Sequence, residues 1–333
     1  MTHPPRSRRH RPAPRRGIPL LIFGSGALAY LAFLRPAEGL DATRTRLTAP
    51  VIKPAADAFG RSGRLRMRFA LPGHRVDYPI EVQGDLTALR YRWVKIDSDT
   101  AGPDRALVQG LLAPDNPGFY RLEVGTDSLR RPVEGLTLAV LVPFSAKRGA
   151  SLNGYRIGYY RGERAARASS EAPQGFVEID TAHLDLPLTD HIRVGDFVSR
   201  DGQSTWPRYA AIDPRLLDKI ELVLEEIASW YGGPVPVTVD VDVHSGFRTP
   251  FHNRQVPSAA RDSRHQFGDA LDVAIDANRD GRVNAKDTRL VSLAVEIVER
   301  SHPDLAGGMG TYRSAGSAWV HIDARGQRVR WRG

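Results

Sequence analysis

Apolar and polar positions alternate with period two in five runs between residues 65 and 142. They are Leu65–Phe69, Tyr78–Val82, Leu89–Val94, Gly118–Val124 and Leu136–Val142. Such alternation gives a strand one apolar and one polar face, and the Gly, Pro and Asp between the runs supply turns. Five or more such strands at short spacing predict a small all-β, immunoglobulin-like sandwich over residues 61–145. Trp93 and the Pro117-Gly118-Phe119-Tyr120 corner read as core and turn residues of that domain. Residues 146–187 open with an aromatic-rich stretch, Leu152–Tyr160, then turn polar, and read as a connection that lines a groove.

The period then changes. Leu216, Leu217, Ile220, Val223, Leu224 and Ile227 recur at three- and four-residue spacings behind Asp213 and Pro214. Asp is a good N-cap and Pro suits the first helical turn, so an amphipathic helix packs one face on a core here. Val235–His244 reads as a strand, and alternation returns around Asp272 and again around His321.

At the other end, Gly17–Leu34 is an uncharged run of 18 residues, long enough to cross a bilayer core as a helix. Six arginines precede it in a basic tail, residues 1–16, and favour leaving that tail in the cytoplasm. A cleaved signal peptide is the competing reading, because Ala27-Leu28-Ala29 resembles a cleavage site, but that triplet lies inside the apolar run. The expectation is an uncleaved anchor in the inner membrane with the rest of the chain in the periplasm, joined by a linker over 35–60.

Composition changes this picture little. The 333 residues carry a formal charge of +9, and the six tail arginines account for all but +3 of it. The high pI is a tail effect, so nucleic acid is not an expected partner. No cysteine is present, which excludes disulfides and thiolate metal sites. Any zinc must be held by nitrogen and oxygen.

Such ligands are available. Around Asp272, Leu271, Val273 and Ile275 fall on one side of a strand and Ala270, Asp272 and Ala274 on the other. The Asp272 carboxylate is thus placed opposite the apolar row. Gly268 gives the chain freedom to bring His265 back over that face. In Ala318–Asp323 the alternation sets His321 opposite Val320 and Ile322. Two neighbouring strands can converge imidazole, carboxylate and imidazole, with a fourth tetrahedral position open to water whose pKa zinc lowers toward ~7. By spacing alone a His-Asp-His set also arises by chance. His244, His252 and His302 read as structural or exposed, with His252 close enough to line a cleft. Trp319 and Tyr312 read as packing residues.

The segments SGFRTPFHN, SRHQFGDALDV and WVHID, in that order, closely resemble the zinc D-Ala-D-Ala carboxypeptidase and murein endopeptidase family. That family belongs to the LAS group, which shares the hedgehog/D,D-peptidase fold. The resemblance covers roughly residues 188–333, beginning at Leu188–Phe197, and implies an α+β zinc peptidase domain. It assigns His265, Asp272 and His321 as metal ligands and Arg248 as the arginine that binds substrate carboxylate or polarises its carbonyl. It implies cleavage of amide bonds in peptidoglycan stem peptides or cross-links. One departure stands out: many members carry an acid/base Glu three residues before the last ligand, or a His two before it. Here those positions are Ala318 and Trp319. The role passes to Asp323, Asp269 or His252, or the chain is catalytically impaired. In some active branches the counterpart of Asp323 is expected to orient a ligand instead.

A second loop follows directly. Asp276, Asn278, Asp280, Asn284 and Asp287 occupy positions 1, 3, 5, 9 and 12 of an EF-hand-like loop over 276–287, with Gly281 at 6 and the Arg282 carbonyl at 7. Asp at position 12 gives it a dockerin-like look, and Leu290–Val298 reads as the exiting helix. The expectation is a structural calcium ion that rigidifies the segment beside Asp272. A solvated Asp/Asn turn that caps the helix is the alternative.

The sequence therefore predicts a membrane-anchored zinc peptidase preceded by a β-sandwich, with peptidoglycan as substrate. The sandwich is a spacer, or a surface for the wall or an envelope protein. The rival is an inactive wall-binding or regulatory protein that retains the fold.

Overall fold

The computed structural model describes residues 51–83, 85–126, 129–163, 172–232, 239–314 and 317–333. The run Gly17–Leu34 lies outside them, and no helix among the described residues is long and apolar enough to cross a membrane.

The expected N-terminal strands all form. β1 (Val51–Pro54) and β3 (Ile80–Gln83) make an antiparallel ribbon. β2 (Met67–Ala70), β4 (Arg90–Lys95), β5 (Arg105–Ala106), β6 (Gly118–Gly125), β7 (Arg130–Pro132) and β8 (Thr137–Val140) build one sheet of order β2-β8-β6-β4-β5, with β7 on β6. Alternation decides both faces. Tyr91, Trp93, Tyr120, Leu122 and Leu138 point into a core closed by Ile52, Ile80 and Val82 of the ribbon. Met67, Phe119 and Ala139 point the other way and join the main core of the C-terminal part. The described strands thus do not form the two comparable facing sheets of an immunoglobulin-like sandwich. The second face of this sheet is covered by the rest of the chain.

Strand pairing continues through the expected connection. β9 (Val142–Pro143), β12 (Gly175–Ile179) and β13 (Arg208–Ala210) form a sheet of order β13-β12-β9, beside a small hairpin of β10 (Ser151–Leu152) and β11 (Tyr155–Arg156). The described residues form one compact unit.

In the C-terminal part, α1 (Pro214–Ser229) starts where Asp213 accepts from the Arg215 N–H, and it buries the six apolar positions of its periodic stripe. The main sheet has the order β14 (Val241–Ser245), β15 (Ala270–Ile275), β17 (Ser317–Asp323), β16 (Gly308–Ser314), β18 (Val329–Arg332), all antiparallel except β16 with β18. A short helix, α2 (Pro250–Asn253), follows β14, and α3 (Ala285–Ser301) packs on α1 and on β15, β16 and β17. Leu271, Val273, Val320 and Ile322 are buried in the main core on one face, and the alternate residues Asp272 and His321 stand on the other.

A buried ionic knot ties helices to sheet. Lys219 of α1 is fully buried and donates to Glu299 of α3 at 2.8 Å and to the Asp323 carbonyl at 2.7 Å. Glu299 also accepts from the Gly307 N–H, Arg328 and Arg330. Every charge is answered, as burial requires.

Candidate metal centre

Register brings the site together. Ser245 of β14 pairs with Asp272 of β15, Asp272 with His321 of β17, His321 with Gly310 of β16, and Gly310 with Trp331 of β18. These five positions form one row across the face opposite the helices. Glycine is required in it: a Cβ at Gly310 would lie 2.3 Å from the Trp331 ring, which leans across to sit 5.1 Å from His321.

His265 is not on a strand. It sits in a single helical turn, Arg264–Phe267, that ends at Gly268 with φ +75° and ψ 12°. That left-handed conformation suits glycine, and a Cβ there would strike the Ala211 carbonyl at 2.1 Å. The turn delivers the imidazole over the row. His265 Nε2 lies 3.1 Å from Asp272 Oδ1 and 3.1 Å from His321 Nδ1, and His321 Nδ1 lies 2.9 Å from Asp272 Oδ1.

The partners of the other ring nitrogens set the chemistry. His265 Nδ1 is 2.7 Å from the Gly246 carbonyl, which can only accept, so Nδ1 carries the proton and Nε2 presents a lone pair. His321 Nε2 donates to Asp323 Oδ2 at 3.1 Å, which leaves Nδ1 bare in the neutral ring. Two lone pairs and a carboxylate oxygen therefore face one another. That arrangement calls for a cation. Ligand bonds of about 2.0–2.1 Å at tetrahedral angles set donor atoms about 3.3 Å apart, close to the separations here. The donor set, two imidazole nitrogens and one oxygen without sulfur, fits zinc. Among the described residues this is the group of His, Asp and Glu whose ligand atoms all lie within 4.8 Å of one another.

Electrostatics follows from burial and contact. Burial pushes the Asp272 carboxyl up, but His265 and His321 outweigh it and hold it well below the usual carboxylate range. Burial lowers the His265 pKa. For His321 burial works downward, yet its bonds to Asp272 and Asp323 leave it raised.

Arg248 stands beside the ligands. Its Nη2 donates to Asp272 Oδ2 at 2.5 Å, its Nε to Ser245 Oγ at 2.8 Å, and its backbone N–H to the His265 carbonyl at 3.0 Å. It grips the oxygen of Asp272 that does not face the imidazoles.

The two carboxylates expected to handle protons are both engaged. Asp323 is fully buried and accepts from the Gly308 N–H at 2.7 Å and from Arg325 through both Nε and Nη2, besides His321. Burial raises its pKa, but these contacts win and hold it far below the usual range. Asp269 is 1% exposed and is gripped by Arg264 through Nε and Nη2. Burial raises its pKa against that arginine. His252 makes no hydrogen bond to the three ligands, and its Nδ1 is buried without a partner. His244, read from the sequence as structural or exposed, alternates with the buried Val243 and so lies on this face. Its half-exposed ring lies 6.0 Å from Trp319, and the register shift between Val243 and Ser245 brings Ser245 opposite Asp272 beside it. Trp319 in turn stacks on Tyr312 at 5.5 Å. Arg325 and Trp331 were missed in the sequence. Arg325 lies two residues beyond the last recognisable motif, and Trp331 reaches the site only through the parallel pairing of β18.

In the loop 276–287 the carboxylates mostly accept from the loop's own backbone. Asp287 takes the N–H groups of Asn278 and Asn284, and Asp276 those of Asp280 and Gly281. Asn284 and Asp287 form the capping box of α3. Asn278 bonds Asp280, and Asp280 accepts from the Arg282 N–H. The calcium expectation rests on the sequence pattern.

Residues 202–323 match the family model described as Peptidase M15. The matched segment contains Arg248, His265, Asp272, His321 and the loop, so the C-terminal part of this mixed α/β structure is similar to an M15 peptidase domain. No curated protein and no solved structure matches the chain.

Proposed function

We propose that the chain is a zinc-dependent peptidase that hydrolyses amide bonds in peptidoglycan stem peptides or their cross-links. The observation that carries this reading is the convergence of two oriented imidazole lone pairs and a carboxylate, inside the segment that matches the M15 family. Zinc, when bound by His265, Asp272 and His321, supplies Lewis acidity that polarises an amide carbonyl and acidifies water. The chain's own residues do the rest. Gly246 and Asp323 hold the two rings in the ligating tautomers. Arg248 fixes Asp272 with Nη2 and keeps Nη1 for a substrate carbonyl or carboxylate. Asp323 acts through His321, and Asp269 anchors the turn that carries His265 by holding Arg264. His244 is the half-exposed imidazole of this face and is placed to take up or return a proton.

Retention of the fold without catalysis is the second reading. It is favoured by Ala318 and Trp319 at the acid/base positions and by the engagement of both carboxylates in ion pairs. Mass spectrometry of muropeptides, after sacculi are incubated with residues 40–333, separates the two. New fragments that disappear with His265→Ala support the peptidase; identical digests from both proteins refute it.

The apolar run Gly17–Leu34 supports a membrane anchor with the domain on the periplasmic side, where this substrate lies, and the first sheet would face the wall or an envelope partner. The residue pattern of loop 276–287 supports a structural calcium ion. A calcium-dependent rise in Tm that Asp276→Ala abolishes is the expected sign, and an unchanged Tm counts against it.

A further inference from the structure

The N-terminal sheet contains a hollow that neither its fold nor the metal centre explains. Along β4 the inward positions run Tyr91, Trp93, Lys95, which pair with Val124, Leu122 and Tyr120 of β6. The first two are core. The third is a lysine on the same face, where the core ends and the segment 100–116 folds over it. That segment is firmly tied down. The Gly102 N–H donates to the Trp93 carbonyl at 2.8 Å, the Trp93 indole N–H to the Leu112 carbonyl at 2.8 Å, and the Leu112 N–H to the Tyr91 hydroxyl at 2.9 Å. Between segment and sheet a hollow of about 320 Å³ remains, lined among others by Trp93, Tyr120, Leu112, Lys95, Arg105 and Asp115.

Three features give it a ligand. Trp93 and Tyr120 spend their polar atoms on backbone carbonyls and so offer the hollow fixed apolar surface. Leu112 is 38% exposed, one of few large apolar side chains left open. Lys95 and Arg105 are both half-buried, and among the described residues neither has an ion-pair partner or a side-chain hydrogen bond, while Asp115 stands exposed on the rim. Two unanswered cations beside an apolar floor suit an anionic head on a small apolar body, and the volume is at the small end for ligand sites.

We propose that this hollow binds the carboxylate end of a short peptide with small apolar side chains. The carboxylate meets Lys95 and Arg105, the methyl groups lie on Trp93 and Tyr120, and an N–H of the peptide faces Asp115. The pocket chemistry stands on its own. Only the origin of the peptide, a wall stem or its cleavage product, rests on the peptidase reading. The sheet would then hold the wall near the metal centre by a second grip.

The test is calorimetric titration of the full chain with N-acetyl-D-alanyl-D-alanine and with its C-terminal amide. A His265→Ala background silences the metal centre. The acid is expected to bind at least 10-fold more tightly than the amide, and Lys95→Gln with Arg105→Gln to remove that preference. Thr100→Trp, which plugs the hollow in the otherwise native chain, is expected to remove the same binding increment and covers the case in which the combined variants do not fold. Equal binding of acid and amide, or an acid affinity untouched by both sets of variants, overturns the proposal. Intact sacculi with peptide binding retained would instead overturn the peptidase reading alone.

Discussion

Asp323→Asn distinguishes a carboxylate that orients a ligand from one that moves protons in the reaction. In the native site Oδ1 accepts from the Gly308 N–H at 2.7 Å and Arg325 Nε at 3.0 Å, and Oδ2 from His321 Nε2 at 3.1 Å and Arg325 Nη2 at 2.5 Å. Every neighbour is a donor. An amide keeps one acceptor oxygen and turns a new N–H₂ toward one of these donors. If the N–H₂ faces His321, Nε2 must give up its proton and Nδ1 takes it, which removes the lone pair aimed at the metal. If it faces Gly308, a buried N–H loses its partner, at a cost of about 1–3 kcal/mol. Loss of such a support is worth about 10–100-fold in metal affinity, or about 1.4–2.8 kcal/mol. Zinc affinity measured against a competing chelator should therefore weaken by that factor, and saturating zinc should restore most of the turnover of a soluble peptide. An unchanged zinc affinity with turnover abolished at saturating zinc would refute the orienting role.

Other expectations follow from the same geometry. Gly268→Ala forces a left-handed backbone on alanine, about 1–2 kcal/mol, and drives its methyl into the Ala211 carbonyl; thermal denaturation should show a drop in Tm accompanied by loss of bound zinc. An unaltered Tm would mean the turn under His265 is not held as described. Lys219→Met leaves Glu299 answered by Arg328, Arg330 and the Gly307 N–H but orphans the Asp323 carbonyl. Urea unfolding should thus show a loss of about 1–3 kcal/mol, short of the roughly 3–5 kcal/mol typical of a buried charge left alone. The bond from His191 to Glu221 raises the histidine's pKa above 6.5. Its stabilisation is full below about pH 6.5 and fades as pH rises through the folded-state value. His191→Gln should flatten that part of the stability–pH curve, and identical slopes for both proteins would contradict the pairing.

Much of the metal centre was legible in the chain because it depends on local rules. Alternation around Asp272 and His321 placed both on the polar side of their strands, and the structure pairs them directly. Gly268 stood out as the residue that lets His265 return, and its φ is positive. The helix begun by Asp213 and Pro214 forms for the reasons visible in its sequence. The second face of the N-terminal sheet was not legible. Alternation shows that a strand has two faces but not what covers them, so Met67 and Phe119 could not reveal that the C-terminal core would take the place of a facing sheet.

The sequence by itself determined the strands, the amphipathic helix and the absence of thiolate chemistry, since each follows from residue type and near-neighbour spacing, and it offered His265, Asp272 and His321 as candidate ligands through their motif contexts. Only tertiary structure decided how the charges are shared. Whether Asp323 and Asp269 were free or paired depended on Arg325 and Arg264 reaching them, and the knot of Lys219 with Glu299 joins residues 80 positions apart. A bulge in β14 set Ser245, which alternation would turn inward with Val243, opposite Asp272 on the metal row. The hollow beside Lys95 exists because segment 100–116 closes over the sheet end with a gap. Such features arise from packing between distant segments, where small differences in distance decide burial, pairing and protonation.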